Sequence, residues 1–148
     1  MIEVKRLSTS DVATSARWES FVFACPQATF FHRAAWQSVI GEAFRHETYF
    51  LYAERSGEIE GVLPLAHVKS LLFGNALVSL PFAVYGGVAA SDGTAAEALE
   101  REAQRLARKL GVDHLELRQV ESRHPDSATS GKKTNIILTI IYRNHAAR

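Results

Sequence analysis

The sequence predicts an α+β fold, a mainly antiparallel sheet with helices packed against it. Three observations carry this. Apolar side chains between residues 10 and 43 recur at helical spacing, residues 46–80 switch to a period of two, and residues 94–110 read as one long amphipathic helix followed by an alternating strand. A chain of 148 residues fits one domain and can bury most of its apolar surface without disulfides or metals.

Ile2 to Leu7 reads as a short first strand. A helix follows Ser10 or Ser15, because Trp18, Phe21, Val22 and Cys25 fall at i, i+3, i+4 and i+7, and Pro26 stops it. A second helix starts near His32, with Trp36, Val39, Ile40 and Ala43 at the same spacing. His46 to Arg55 has strand composition, Ser56-Gly57-Glu58 is a turn signal, and Ile59 to Lys69 is the returning strand of an antiparallel hairpin. Pro64 inside that strand cannot donate a ladder hydrogen bond and marks an edge or a bulge. Ala76 to Leu80 is apolar throughout and reads as a strand buried on both faces.

Thr94 to Leu110 is the clearest helix. Thr94 and Glu97 form a capping box, and Leu99, Ala103, Leu106 and Leu110 make the buried stripe. Glu97 and Arg101 pair at i, i+4 on the wet side, and Gly111 is the C-cap. Asp113 to Val120 then alternates His114, Glu116 and Arg118 against Leu115, Leu117 and Gln119. Ser122 to Lys133 is a polar loop or linker, and Asn135 to Tyr142 is a final β-branched run.

Composition narrows the function. A formal net charge of +1 gives no reason to expect nucleic acid or an anionic membrane as partner. The lone Cys25 rules out an internal disulfide and fits a reducing compartment, and no secretory signal follows Met1, so a cytoplasmic location is expected. Leu71 to Ser91 lacks charge, yet Pro81 with Gly74, Gly86 and Gly87 breaks it, which predicts a strand and loop rather than a membrane span.

No phosphate loop, dinucleotide fingerprint, nucleophile elbow or metal-spaced Cys/His cluster is present, so no cofactor is evident and no metal site or catalytic residue emerges. Candidate substrate-binding residues are fewer. His32 either contacts a ligand or carries a proton, or else caps the second helix and packs on Trp36. Tyr85, Gly86 and Gly87 form an aromatic-glycine segment in which the glycines permit positive φ or close approach to a ligand and Tyr85 offers a hydroxyl, the alternative being a tight turn. His67 and Lys69 share one side of their strand, as do Glu116 and Arg118. Lys69 and Arg118 are therefore candidates for a polar groove that reads a charged substrate, against the alternative of a solvated sheet face. Cys25 reads as a small core residue.

Several segments together resemble the FemAB-like acyltransferases, in the branch associated with exosortase and PEP-CTERM surface systems. They are Cys25-Pro-Gln-Ala-Thr-Phe-Phe-His32 with Trp36, Gly61-Val-Leu-Pro-Leu-Ala-His-Val-Lys-Ser70 with Leu71-Leu-Phe-Gly74, Ser79-Leu-Pro-Phe-Ala-Val-Tyr-Gly-Gly87, and His114-Leu-Glu-Leu-Arg118. The resemblance covers about residues 1–120. It implies a GNAT-like domain over 1–120, with 121–148 a linker and terminal strand that begin a second domain. It also implies transfer of an acyl or aminoacyl group from acyl-CoA or aminoacyl-tRNA to a small-molecule or cell-envelope precursor. The chain has about half the expected length and lacks the Gln/Arg-x-x-Gly-x-Gly/Ala loop of acetyl-CoA-using relatives, since Ala89-Ala-Ser-Asp-Gly93 precedes the long helix. The expectation is thus a substrate-binding half that is inactive alone, the alternative being a non-catalytic binding or assembly module that forms a homodimer.

Overall fold

The computed structural model describes residues 1–70, 74–79, 86–122 and 135–143. Its chain order is β1 (Glu3–Arg6), α1 (Val12–Ala24), α2 (Ala35–Ser38), β2 (Glu47–Arg55), β3 (Glu58–Ser70), β4 (Gly74–Ser79), β5 (Ala89–Ala90), α3 (Gly93–Leu110), β6 (His114–Ser122) and β7 (Asn135–Arg143). The strands form one seven-stranded sheet in the order β1-β2-β3-β4-β6-β7, with β5 pairing β3 off this path. Among the described residues only β4 and β6 run parallel; every other pair is antiparallel. The predicted α+β class is what the chain adopts.

Alternation along the strands sorts two cores onto the two faces. Leu51, Ala53, Leu63, Leu65, Leu77, Leu115 and Leu117 pack with Ala95, Leu99, Ala103 and Leu106 of α3. Phe50, Tyr52, Val62, Ala66 and Ala89 pack on the other face with Trp18, Val22 and Cys25 at α1 and Ile40 beyond α2, where Trp18 stacks on Phe50 with ring centroids 5.5 Å apart.

The first helix buries the face its spacing predicts, but its N-cap is Asp11, not Ser10 or Ser15. The Asp11 carboxylate accepts from both the amide and the hydroxyl of Thr14, at 2.9 and 2.6 Å. The second helix differs more. Phe30–His32 is a 3-10 turn, α2 begins at Ala35, and Val39–Ala43 is a π turn. Val39 keeps ordinary helical dihedrals (φ −59°, ψ −48°) but faces solvent, because the buried face runs through Ala34, Gln37 and Ile40, and the Gln37 amide donates to the Leu7 carbonyl at 2.9 Å.

In the β2–β3 hairpin, Ser56 and Gly57 both take positive φ (51° and 80°), the turn geometry whose twist matches antiparallel strands. Pro64 has a definite role. The Leu7 amide donates to the Phe50 carbonyl, so Phe50 points its polar groups at β1 and its pair with Pro64 is not hydrogen-bonded. The missing Pro64 N–H therefore faces away from β2. On that side the described ladder runs to Leu65↔Ser79 and resumes at Val62↔Ala89, and Pro64, which has no proton to offer, lies between the two.

Helix α3 keeps the predicted stripe and ends at Gly111 (φ 64°), but its cap is Asp92 rather than a Thr94/Glu97 box, and its ion pair joins Arg105 to Glu102 at 2.5 Å. β7 pairs with β6 along its whole length, from Ser122↔Asn135 to His114↔Arg143, so this terminal strand lies in the same sheet as the preceding ones. No helix among the described residues is long and apolar enough to cross a membrane.

Candidate functional site

The parallel ladder between β4 and β6 is short: Ala76↔His114, Leu77↔Leu115 and Val78↔Glu116. Beyond it the Arg118 amide donates to the Ser79 hydroxyl at 2.8 Å, a side-chain oxygen in place of a strand carbonyl. Ser79 is fully buried, so its hydroxyl satisfies an amide that would otherwise be stranded where the two strands part.

Next to this junction lies a groove of about 790 Å³, bordered by Lys69, Ser70, Val78, His114, Glu116 and Arg118. Because Leu115 and Leu117 face α3, His114, Glu116 and Arg118 line up on the opposite face of β6. The Arg118 guanidinium donates to Glu116 at 2.6 Å, and the His114 ring lies 3.8 Å from the other carboxylate oxygen. A carboxylate flanked by a guanidinium and an imidazole can hold an ammonium or take a proton, and the arginine can read an oxyanion.

Lys69 and Arg118 border the same groove, but they do not share a face. Leu65 belongs to the α3 core and Ala66 to the α1 core, so alternation sends His67 and Lys69 to the α3 side, where the His67 ring meets Asn75 at 2.5 Å. The two polar pairs expected to line one groove thus stand on opposite sides of the sheet, and Lys69 reaches the groove only at its rim.

His32 is 2% exposed. Its Nδ1 accepts from the Thr29 amide at 2.9 Å, its Nε2 donates to the Gly87 carbonyl at 2.7 Å, and its own carbonyl accepts from the Trp18 indole at 2.7 Å. Burial holds the imidazole below its ordinary value, with the hydrogen bond to the Gly87 carbonyl opposing the shift. Gly86 and Gly87 are buried beside it, and Gly87 makes its close approach to this ring; Tyr85 lies outside the described residues.

Sequence reasoning missed the start of α3. The Asp92 carboxylate accepts from the Ala95 amide at 2.8 Å and pairs with Arg55 at 3.3 Å, and the Ala95 bond holds Asp92 below the usual carboxylate range. The signal was an Asx residue directly before a glycine and an alanine-rich run. A free helix N-terminus attracts anions, whereas this one already holds a carboxylate. No group of three or more metal-type ligands occurs among the described residues.

No family model matches the sequence, and no curated protein matches it significantly. Solved structures do. A tandem GNAT protein from the clavulanic acid biosynthesis pathway, without acetyl-CoA, superposes with a TM-score of 0.57 at 18% identity, over 88% of this chain and 40% of that one. A GNAT family acetyltransferase from Brucella melitensis in complex with acetyl-CoA superposes with a TM-score of 0.52 at 15% identity, over 99% of this chain and 97% of that one. This chain thus spans two-fifths of the tandem protein's length. With its parallel β4–β6 pair parting at Ser79 and helices on both faces of a mainly antiparallel sheet, the chain has a GNAT-like fold.

Proposed function

We propose that this chain serves acyl transfer as a GNAT-type domain of a FemAB-like N-acyl or aminoacyl transferase, that it contributes to substrate binding, and that it does not turn over alone. The observation that carries the reading is the closed start of α3. Acyl transfer needs a donor site, an oriented amine and stabilisation of the developing oxyanion, held together. The phosphates of an acyl-CoA would seek the amides at a helix N-terminus, but Asp92 sits on that of Ala95 and repels a second anion. The β6 groove is the better equipped part: Glu116 can hold an acceptor amine and Arg118 an acidic group of the same small-molecule or cell-envelope precursor. Support for the acyl-transfer class comes from the fold shared with an acetyltransferase that was solved with acetyl-CoA, and from the tandem protein, in which a stretch of this size is one part of a longer chain. The donor is acyl-CoA or aminoacyl-tRNA, and the finer FemAB-like assignment rests on the sequence segments alone.

The test is purified chain with acetyl-CoA or charged tRNA and a panel of amines, read as free thiol or uncharged tRNA. The expected outcome is no turnover above background. Activity that co-elutes with pure monomer on a sizing column would overturn the reading. A second reading, a non-catalytic assembly module, draws on one observation: β7 is the last strand of the sheet order and pairs only with β6 among the described residues.

A further inference from the structure

A second cavity, of about 570 Å³, opens between the β1–α1 connection and the end of α2, on walls that include Arg6, Ser8, Thr9, Arg45 and His46. Its volume is in the range of small-molecule sites. Arg45 takes φ 55°, the left-handed region that favours glycine. The His46 amide returns to the Ile40 carbonyl at 3.3 Å and closes the π turn around it. A side chain in this conformation costs free energy that glycine would not.

The two arginines in the wall differ. Arg6 is neutralised by Glu47 at 2.9 Å and stacks over the Tyr49 ring, its guanidinium carbon 4.1 Å from the centroid. Glu47, the carboxylate in the wall, is thereby engaged. The Arg45 side chain makes no hydrogen bond or ion pair with any described residue, and neither does the Thr9 hydroxyl. The uncompensated charge of the cavity is therefore Arg45, with the hydroxyls of Ser8 and Thr9 in the same walls.

We propose that this cavity binds a small oxyanion, a carboxylate or phosphate group of a metabolite, with the Arg45 guanidinium as its charged donor and Ser8 and Thr9 as neutral donors. A planar guanidinium matches either oxyanion in a two-point contact. The inference does not depend on acyl transfer and uses none of the β6 groove residues.

The experiment is amide NMR of the whole chain at low ionic strength, titrated separately with inorganic phosphate and with acetate, in wild type and Arg45→Gly. Glycine suits the left-handed conformation, so this variant keeps the fold and melts no lower than wild type. Shifts confined to the amides around Ser8, Thr9, Arg45 and His46, weakened about tenfold or more in Arg45→Gly, are expected. The anion that produces them identifies the source, and response to both assigns a general oxyanion site. Absence of shifts with either anion, or equal shifts in the variant, overturns the proposal.

Discussion

His32 Nδ1 accepts the Thr29 amide proton, so the ring proton sits on Nε2 and points at the Gly87 carbonyl. The side chain therefore fastens the α1–α2 connection to the segment that leads into β5. Along the sequence its aromatic neighbour was Trp36, four residues on. In the fold the Trp18 indole also donates to the His32 carbonyl, a contact fixed by how α1 crosses the sheet and invisible to local spacing. Replacing the ring by His32→Leu strands the buried Gly87 carbonyl and removes the ring's bond to the Thr29 amide, and should cost about 2 kcal/mol. The pH dependence has a definite sign. The folded-state value lies below the ordinary 6.5, so the unfolded chain binds the proton more readily. Stability from this group is complete above about pH 6.5, falls as the solution is acidified from there, and stops changing below the depressed folded-state value. Urea titrations at a series of pH values should show this decline in wild type and its loss in His32→Leu. Identical pH profiles for the two proteins would remove His32 as the source.

Helix α3 was legible in its periodicity and not in its cap. Leu99, Ala103 and Leu106 form a stripe because one helix meets one sheet, a relation that a period of 3.6 records directly. Its start depends on a tertiary bond: the Ser91 amide donates to the Glu60 carbonyl at 2.8 Å, which holds the chain extended through Asp92 (φ −148°, ψ 170°) and so makes Asp92, not Thr94, the cap. The α2 region misled for a similar reason, since a 3-10 turn and a π turn on either side of a single α turn shift the angular phase that the spacing argument assumes constant. The seating of α3 on the sheet rests on Gly61. A Cβ there would meet Leu99 Cδ1 at 2.8 Å and Ala90 Cβ at 3.3 Å, and Leu99 is itself fully buried. Gly61→Val should therefore lower stability by about 2 kcal/mol through overpacking, with the strand ladder retained. Urea denaturation with far-UV circular dichroism measures both. A variant as stable as wild type would mean that Leu99 has room to step aside.

The strands were readable one by one apart from the two-residue β5, but of their order only the β2–β3 hairpin was. A β4–β6 neighbourhood across the α3 crossover leaves no local pattern, because parallel partners are joined through a helix rather than a turn. The charged and apolar edges of the finished sheet follow from that order. β1 closes one edge with Glu3, Lys5 and Arg6, and Lys5 and Arg6 reach Glu54 and Glu47 at 2.9 Å, so that edge carries charge against a passing strand. β7 closes the other with Asn-Ile-Ile-Leu-Thr-Ile-Ile-Tyr-Arg, whose one charge is Arg143, and Ile141 is 51% exposed. Such an edge is a template for another strand, and the complementary strand at hand in a pure solution is β7 of a second copy. Its free donors can be located. The Arg118 amide points at Ser79, toward β4, so the Arg118↔Thr139 pair is not hydrogen-bonded and the Thr139 N–H points away from β6. Proline at 139 removes a donor that no described strand uses and leaves the β6 ladder its bonds. Sedimentation at rising protein concentration should show wild type passing from monomer to dimer, and Thr139→Pro remaining monomeric with an unchanged circular dichroism spectrum. Wild-type protein that stays monomeric throughout would count against the assembly-module reading and leave the acyl-transfer reading to its own test.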